Sequence, residues 1–257
     1  MIQSSKAFTT LYPVRLFCLT AAIFSLWAMP VLPAAADTLA PADPKTYLAD
    51  ITGALEKSWP TNHLVNIVCH GHSVVAGYFK TPEVHLLQAY PALLRRDLAN
   101  LFPHAVLNVI VTAIGGENAE QGAARFDRDV ISLHPAVVTI DYALNDRHIG
   151  LARAEKAWRS MIEAAQTNSI KIILFTPTAD LSAHWDDPND PLNLHAAQIR
   201  RLAAEYHTGL VDSLALFQNY VHRGGRLPDL MAQVNHPNAA GHELVAAELL
   251  KWFPVKF

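Results

Sequence analysis

Leu64-Val65-Asn66-Ile67-Val68-Cys69-His70-Gly71-His72-Ser73-Val74-Val75-Ala76-Gly77 begins as an almost continuous apolar run and turns through Gly71 and His72 onto a short segment with helical character. A run over 64–69 without strict polar alternation is what a strand covered on both faces requires. A serine in the tight bend that follows such a strand can project its hydroxyl from the turn. Its own N–H then points toward any oxyanion formed there. Ser73 is therefore the candidate nucleophile, although a plain helix cap would use the same residue.

Four similar runs lie downstream, at 105–111, 136–142, 170–176 and 209–212. Between and after them come amphipathic stretches at 86–101, 119–133, 151–166, 194–206 and 239–253. Strands that alternate with helices imply parallel crossovers, since a parallel pair needs a long connection and a helix supplies it. The expected architecture is α/β, a three-layer α/β/α sandwich on a five-stranded, mainly parallel sheet, forming a single domain over 37–257. In such sheets ligands bind outside the carboxyl ends of the strands, so the polar residues just after each run carry the interest.

Composition agrees with one sizeable core. The chain has 257 residues, 51% of them hydrophobic and 17% charged, which excludes a disordered or collagen-like chain. A net charge of -3 provides no cationic field for a phosphate backbone, and nucleic acid is not an expected partner. Residues 1–36 carry Lys6 and Arg15, an uncharged run over 16–32, and Ala34, Ala35 and Ala36 before Asp37. That is the order of a secretory signal cleaved after Ala36, so export to a periplasm or medium is expected, with no stable membrane insertion afterwards. Cys69 would then be the sole remaining cysteine and reads as a small buried hydrophobe. A monomer is the simplest expectation.

Three further strand ends or loops carry chemistry. After the second run come Gly115, Gly116, Glu117 and Asn118, where a glycine lets a backbone N–H approach a ligand closely. After the third come Asn145 and Asp146, and an asparagine amide there can donate to a developing negative charge. Near the C-terminus, Gln233-Val234-Asn235-His236-Pro237-Asn238 opens the last helix, and His236 can take a serine proton and return it to a leaving alcohol. His70 and His72 form an H-x-H pair, but no third and fourth ligand accompany them, so neither metal nor other cofactor is expected. The acidic segment 179–193 reads as a solvated loop, and Arg147 either grips an anion or pairs with a surface acid.

Taken in order, these four stretches resemble the SGNH hydrolase family, also called the GDSL esterase/lipase family. The resemblance implies the flavodoxin-like SGNH fold and the activity of a serine ester hydrolase. It assigns Ser73 as nucleophile, the Ser73 N–H, Gly116 and Asn145 as oxyanion donors, and His236 as base. Three departures stand out. The family's Gly-Asp-Ser reads Gly71-His72-Ser73, Ala143 replaces the glycine of Gly-x-Asn-Asp, and Gln233 stands where an aspartate normally orients the histidine. Gln233 can accept from the ring N–H but offers no charge, which leaves either a Ser-His pair or another acid, with Asp229 as the candidate substitute. The expected activity is hydrolysis of short carboxylic esters, O-acetyl groups on glycans or lipid esters among them. An O-acyltransferase acting on cell-surface glycans and a non-catalytic carbohydrate-binding domain are the alternatives.

Overall fold

The apolar runs form five strands: β1 (Leu64–Gly71), β2 (Val106–Val111), β3 (Val137–Asp141), β4 (Lys171–Phe175) and β5 (Gly209–Val211). In this computed structural model, which describes Met1 and residues 39–255, they pair in the order β2-β1-β3-β4-β5. Every neighbouring pair is parallel, with Cys69 level with Val111 and Gly71 level with Asp141. The expected sheet is present and wholly parallel. A separate antiparallel pair, β6 (Met231–Gln233) and β7 (His236–Pro237), lies near the C-terminus. The expected signal segment falls outside the described residues, apart from Met1. The described residues from 39 onward form one compact unit, and no helix among them is long and apolar enough to cross a membrane.

Side-chain alternation along the buried strands divides the core into two layers. Val65, Ile67, Cys69, Ile173 and Phe175 face one side, where they meet α1 (Ala49–Leu55), α3 (Tyr90–Leu101), α9 (Ser213–His222) and α10 (Ala239–Leu250). Val68, Val138, Ile140, Ile172 and Leu174 face the other. There they pack on Phe126 of α5 (Phe126–Asp129), Trp158 and Met161 of α7 (Leu151–Thr167), and Ile199 of α8 (Pro191–Glu205). Short helices α2 (Ser73–Ala76), α4 (Ala119–Ala124) and α6 (Ala143–Asp146) begin at or just beyond the strand ends.

Two expected helices are broken, for local reasons. The stretch 86–101 starts as a 3-10 turn, Leu86–Gln88, and Ala89 is extended before α3 begins. Pro91, which lacks an N–H, fits only the first turn of a helix. The stretch 119–133 divides into α4, α5 and a 3-10 turn, Ile131–Leu133, with the first break at Arg125. Arg125 leaves helical geometry and delivers its buried guanidinium to Glu117, Asp129 and the Tyr142 hydroxyl.

The strand order positions the site. The chain leaves β1 toward β2 on one side and returns to β3 on the other, so the ends of β1 and β3 flank a crevice at the topological switch point. Close approach of these strands needs Gly71, since a Cβ there would collide with the Asp141 carbonyl oxygen and the Val75 side chain.

Candidate active site

Ser73 opens α2 immediately beyond β1, and the imidazole of His236 reaches it from β7, with Nε2 3.0 Å from Ser73 Oγ. Both residues are buried. The opposite ring nitrogen, Nδ1, lies 3.2 Å from the backbone carbonyl oxygen of Phe79. A carbonyl oxygen can only accept, so Nδ1 carries the proton and Nε2 presents its lone pair to the serine. Burial is the main influence lowering the His236 pKa, and the nearby His72 acts in the same sense; the Phe79 carbonyl opposes them. The ring is therefore neutral at pH 7, as a base must be.

Neither expected orienting group lies on this histidine. Gln233 instead accepts the Thr81 N–H at 2.9 Å through Oε1, while Nε2 donates to Thr81 Oγ1 and Asn235 Oδ1. Asp229 pairs with Arg226 on the exposed 3-10 turn Leu227–Leu230. The acid substitute is replaced by main chain. The Phe79 carbonyl leaves no room on Nδ1 for a second acceptor and has no side-chain signature by which a sequence could announce it. The loop that bears it is tied down by Tyr78 N–H to Ser73 O, Phe79 N–H to Glu83 O and His85 N–H to Gly77 O.

The groups expected to hold an oxyanion follow the ends of the neighbouring strands β1, β2 and β3. The Asn145 amide, on α6 beyond β3, donates to the Glu117 carbonyl at 2.8 Å, which fixes its plane and leaves its second hydrogen free. Gly116 has φ +82, a left-handed conformation that favours glycine and turns the loop after β2. Among the hydrogen bonds of the described residues, none takes up the N–H of Ser73 or Gly116. Asn145 is anchored through its neighbour. Asp146 is buried and accepts from Ala119 N–H and Trp158 Nε1–H, each at 2.7 Å, joining α6 to α4 and α7. Burial pushes its carboxyl up to about 6, with those two donors opposing.

His70 and Arg147 find structural partners. His70 Nδ1 lies 2.8 Å from Thr112 Oγ1, and Nε2 faces the Gly122 carbonyl and the Tyr142 hydroxyl. Both ring nitrogens are thus occupied, and burial, followed by the Arg125 charge, brings its pKa down to about 4. His72 turns toward Asp141 instead of sharing a ligand with His70. Arg147 pairs with Asp180 at 2.6 Å, an acid that is buried and not on the surface as expected. Cys69 is fully buried, and burial pushes its thiol up to about 12, consistent with a packing role.

Residues 69–244 match the model of the GDSL-like lipase/acylhydrolase family. An acetylxylan esterase of Geobacillus stearothermophilus is 25% identical over 167 residues, covering 60% of this chain and 75% of that enzyme. A crystal structure of an acetylxylan esterase from the same organism covers 75% of this chain and 95% of its own at 23% identity, with a TM-score of 0.65. A two-domain esterase described as active on acetylated mannans gives a TM-score of 0.66 at 20% identity, over 80% of this chain and 52% of that one. At such identities the structural matches speak for the fold. Solved catalytic mutants of the Geobacillus enzyme replace a serine, a histidine and an aspartate three positions ahead of that histidine, whereas here Gln233 is three ahead of His236. A family match that spans all four strand-end stretches, on a sheet that gathers them at one crevice, settles the kinship: the chain belongs to the GDSL-like lipase/acylhydrolase family.

Proposed function

We propose that the protein is an exported serine esterase that removes O-acetyl groups from glycans through a Ser73–His236 pair. The observation that carries the chemistry is the 3.0 Å approach of His236 Nε2 to Ser73 Oγ, with the opposite nitrogen held by a carbonyl. In this reading His236 takes the hydroxyl proton as Ser73 Oγ bonds to the ester carbon. Negative charge on the carbonyl oxygen is met by the Ser73 and Gly116 N–H groups and the Asn145 amide. His236 then protonates the departing sugar oxygen, the C–O bond breaks and acetyl-Ser73 remains. A water molecule, deprotonated by the same imidazole, releases acetate and restores the serine.

The choice of acetylated glycan is supported by the acetylxylan esterase relative, and the choice of export by the order of charge, apolar run and alanines over 1–36. Acetate release from acetylated xylo-oligosaccharides, set against a series of aryl esters of increasing acyl length, tests the substrate. The expected outcome is highest turnover on acetyl esters and none above background for Ser73→Ala. Equal rates for Ser73→Ala and the parent would remove the serine mechanism, and a preference for long acyl chains would remove the glycan reading.

A further inference from the structure

His72 stands where the family carries an aspartate, and the mechanism above gives it no task. Its Nδ1 accepts the Val74 N–H at 3.2 Å, capping the helical turn that begins with Ser73. An acceptor nitrogen is unprotonated, so the proton must sit on Nε2. That nitrogen is 3.4 Å from Asp141 Oδ1; both atoms are buried, and neither has a hydrogen-bonding partner among the described residues. Asp141 ends β3 beside Gly71, on the neighbouring strand. The ring thus joins the end of one strand to the nucleophile turn on the next.

We propose that His72 and Asp141 are a positioning pair: the carboxylate holds the proton on His72 Nε2, which keeps the Nδ1 lone pair available to fix the turn that aims Ser73 at His236. The inference deepens the esterase reading and rests on it. An aspartate at position 72 would cap the turn directly, needing no partner; an imidazole caps only in one of its two neutral tautomers, and an acceptor at Nε2 selects that one. His72 Nδ1 is 3.5 Å from Ser73 Oγ against 3.0 Å for His236 Nε2, which leaves proton transfer to His236. The charged and titratable groups around the pair are Asp146, His236 and Tyr142 on the side of His72, and Tyr90, Cys69 and Tyr142 near Asp141. Burial and then the Asp141 charge raise the Tyr90 phenol well above its usual range.

The test combines tautomer and epistasis. Nitrogen-15 spectra of the imidazoles should show His72 protonated at Nε2 and bare at Nδ1. An amide at position 141 can donate as well as accept and so no longer selects the tautomer. Asp141→Asn should therefore lower kcat on an aryl acetate about fivefold to tenfold, the value of a helix cap, with KM unchanged. His72→Asn supplies a cap oxygen of its own and should lose no more than about threefold. In that background Asp141→Asn should cost nothing further. A proton found on Nδ1, full activity for Asp141→Asn alone, or the same loss or misfolding from Asp141→Asn in both backgrounds would overturn the pair. Labelling of Ser73 in the parent by a fluorophosphonate separates the two ideas, because its failure would remove the esterase reading and leave the nitrogen spectra still able to decide on the pair.

Discussion

Replacing Gln233 by aspartate restores the residue that the family places three before the histidine, and the structure predicts that it restores no activity. In serine proteases, exchanging the orienting carboxylate for an amide costs about 10⁴ in kcat, because that carboxylate bonds directly to the ring nitrogen. Here the His236 Nδ1–H already belongs to the Phe79 carbonyl at 3.2 Å, so a carboxylate at 233 would act only through space. Gln233 is partly exposed and lies level with His236 across the β6–β7 pair. A charge in such a screened position is worth about 1 kcal/mol or less, roughly a fivefold effect. Against it stands the loss of the Gln233 amide donor, whose bond to Thr81 helps brace the Phe79 loop; one hydrogen bond contributes about 0.5–1.5 kcal/mol. The two effects nearly cancel. Hydrolysis of 4-nitrophenyl acetate at pH 7.5 should give a kcat for Gln233→Asp within about tenfold of the parent. Gln233→Ala, which loses the brace and gains no charge, should fall below both. A gain of 100-fold or more in Gln233→Asp would refute the argument, since it would mean that the carboxylate had displaced the carbonyl.

Three other expectations follow from the geometry. Asn145→Ala should lower kcat by about 10²- to 10³-fold through loss of an oxyanion donor, while its melting temperature stays close to the parent's, because Asp146 still anchors α6; steady-state kinetics and calorimetry check both. With its pKa lowered chiefly by burial, His236 should keep kcat/KM flat at neutral pH, and the acid limb should have its midpoint below 6.5; a midpoint above 6.5 would contradict the buried, neutral base. Stability should fall between pH 6.5 and 4, because unfolding lets His70, His195 and His242, each held near 4 in the fold, take up protons at their ordinary 6.5, while Asp146, raised to about 6, opposes with one proton. The net uptake of about two protons, to which His236 adds in the same direction, corresponds to roughly 3 kcal/mol per pH unit at its steepest, measurable by urea unfolding at pH 7 and pH 5.

How much of this was legible in the sequence depends on whether the signal was local. The five strands read directly, since short Val-, Ile- and Leu-rich runs between helical stretches have few alternatives, even for the half-exposed edge strand β2, and the predicted ends agree with the observed ones to within two residues. The turn residues Ser73, Gly116, Asn145 and His236 could be named because each follows a strand or opens a helix, and the sheet order β2-β1-β3 brings three of those ends side by side. The helix α9 was missed: it directly follows the short strand β5, and its cap, Asp212, also accepts from Thr176 and Arg200, contacts that only the fold creates. The partner of His236 was beyond sequence reading for a stricter reason, since a main-chain carbonyl has no residue type. The His72–Asp141 contact joins residues 69 apart, and only the register that sets Gly71 beside Asp141 makes it possible.

That register also explains how a site can lose two of its family's carboxylates and keep its geometry. An aspartate before the serine and one before the histidine each do a local task, capping a turn and holding a ring. In this chain the first task passes to an imidazole backed by Asp141 from the next strand, and the second to the Phe79 carbonyl on a loop that Gln233 braces through Thr81. Gln233 thus bears on the histidine after all, one step removed, through the carbonyl it helps to place. The consequence is electrostatic: a carbonyl dipole stabilises imidazolium less than a carboxylate does, so the His236 base should be weaker than in a full triad and its neutral form should persist to lower pH. Turnover should accordingly extend further into mild acid, falling off below pH 6.5 as His236 takes up its proton, while the buried histidines set a separate, structural limit where the protein unfolds. Kinetics and circular dichroism followed together from pH 7 to pH 4 would separate these limits, and a loss of activity with its midpoint above pH 6.5 while the fold is intact would count against the carbonyl-held base.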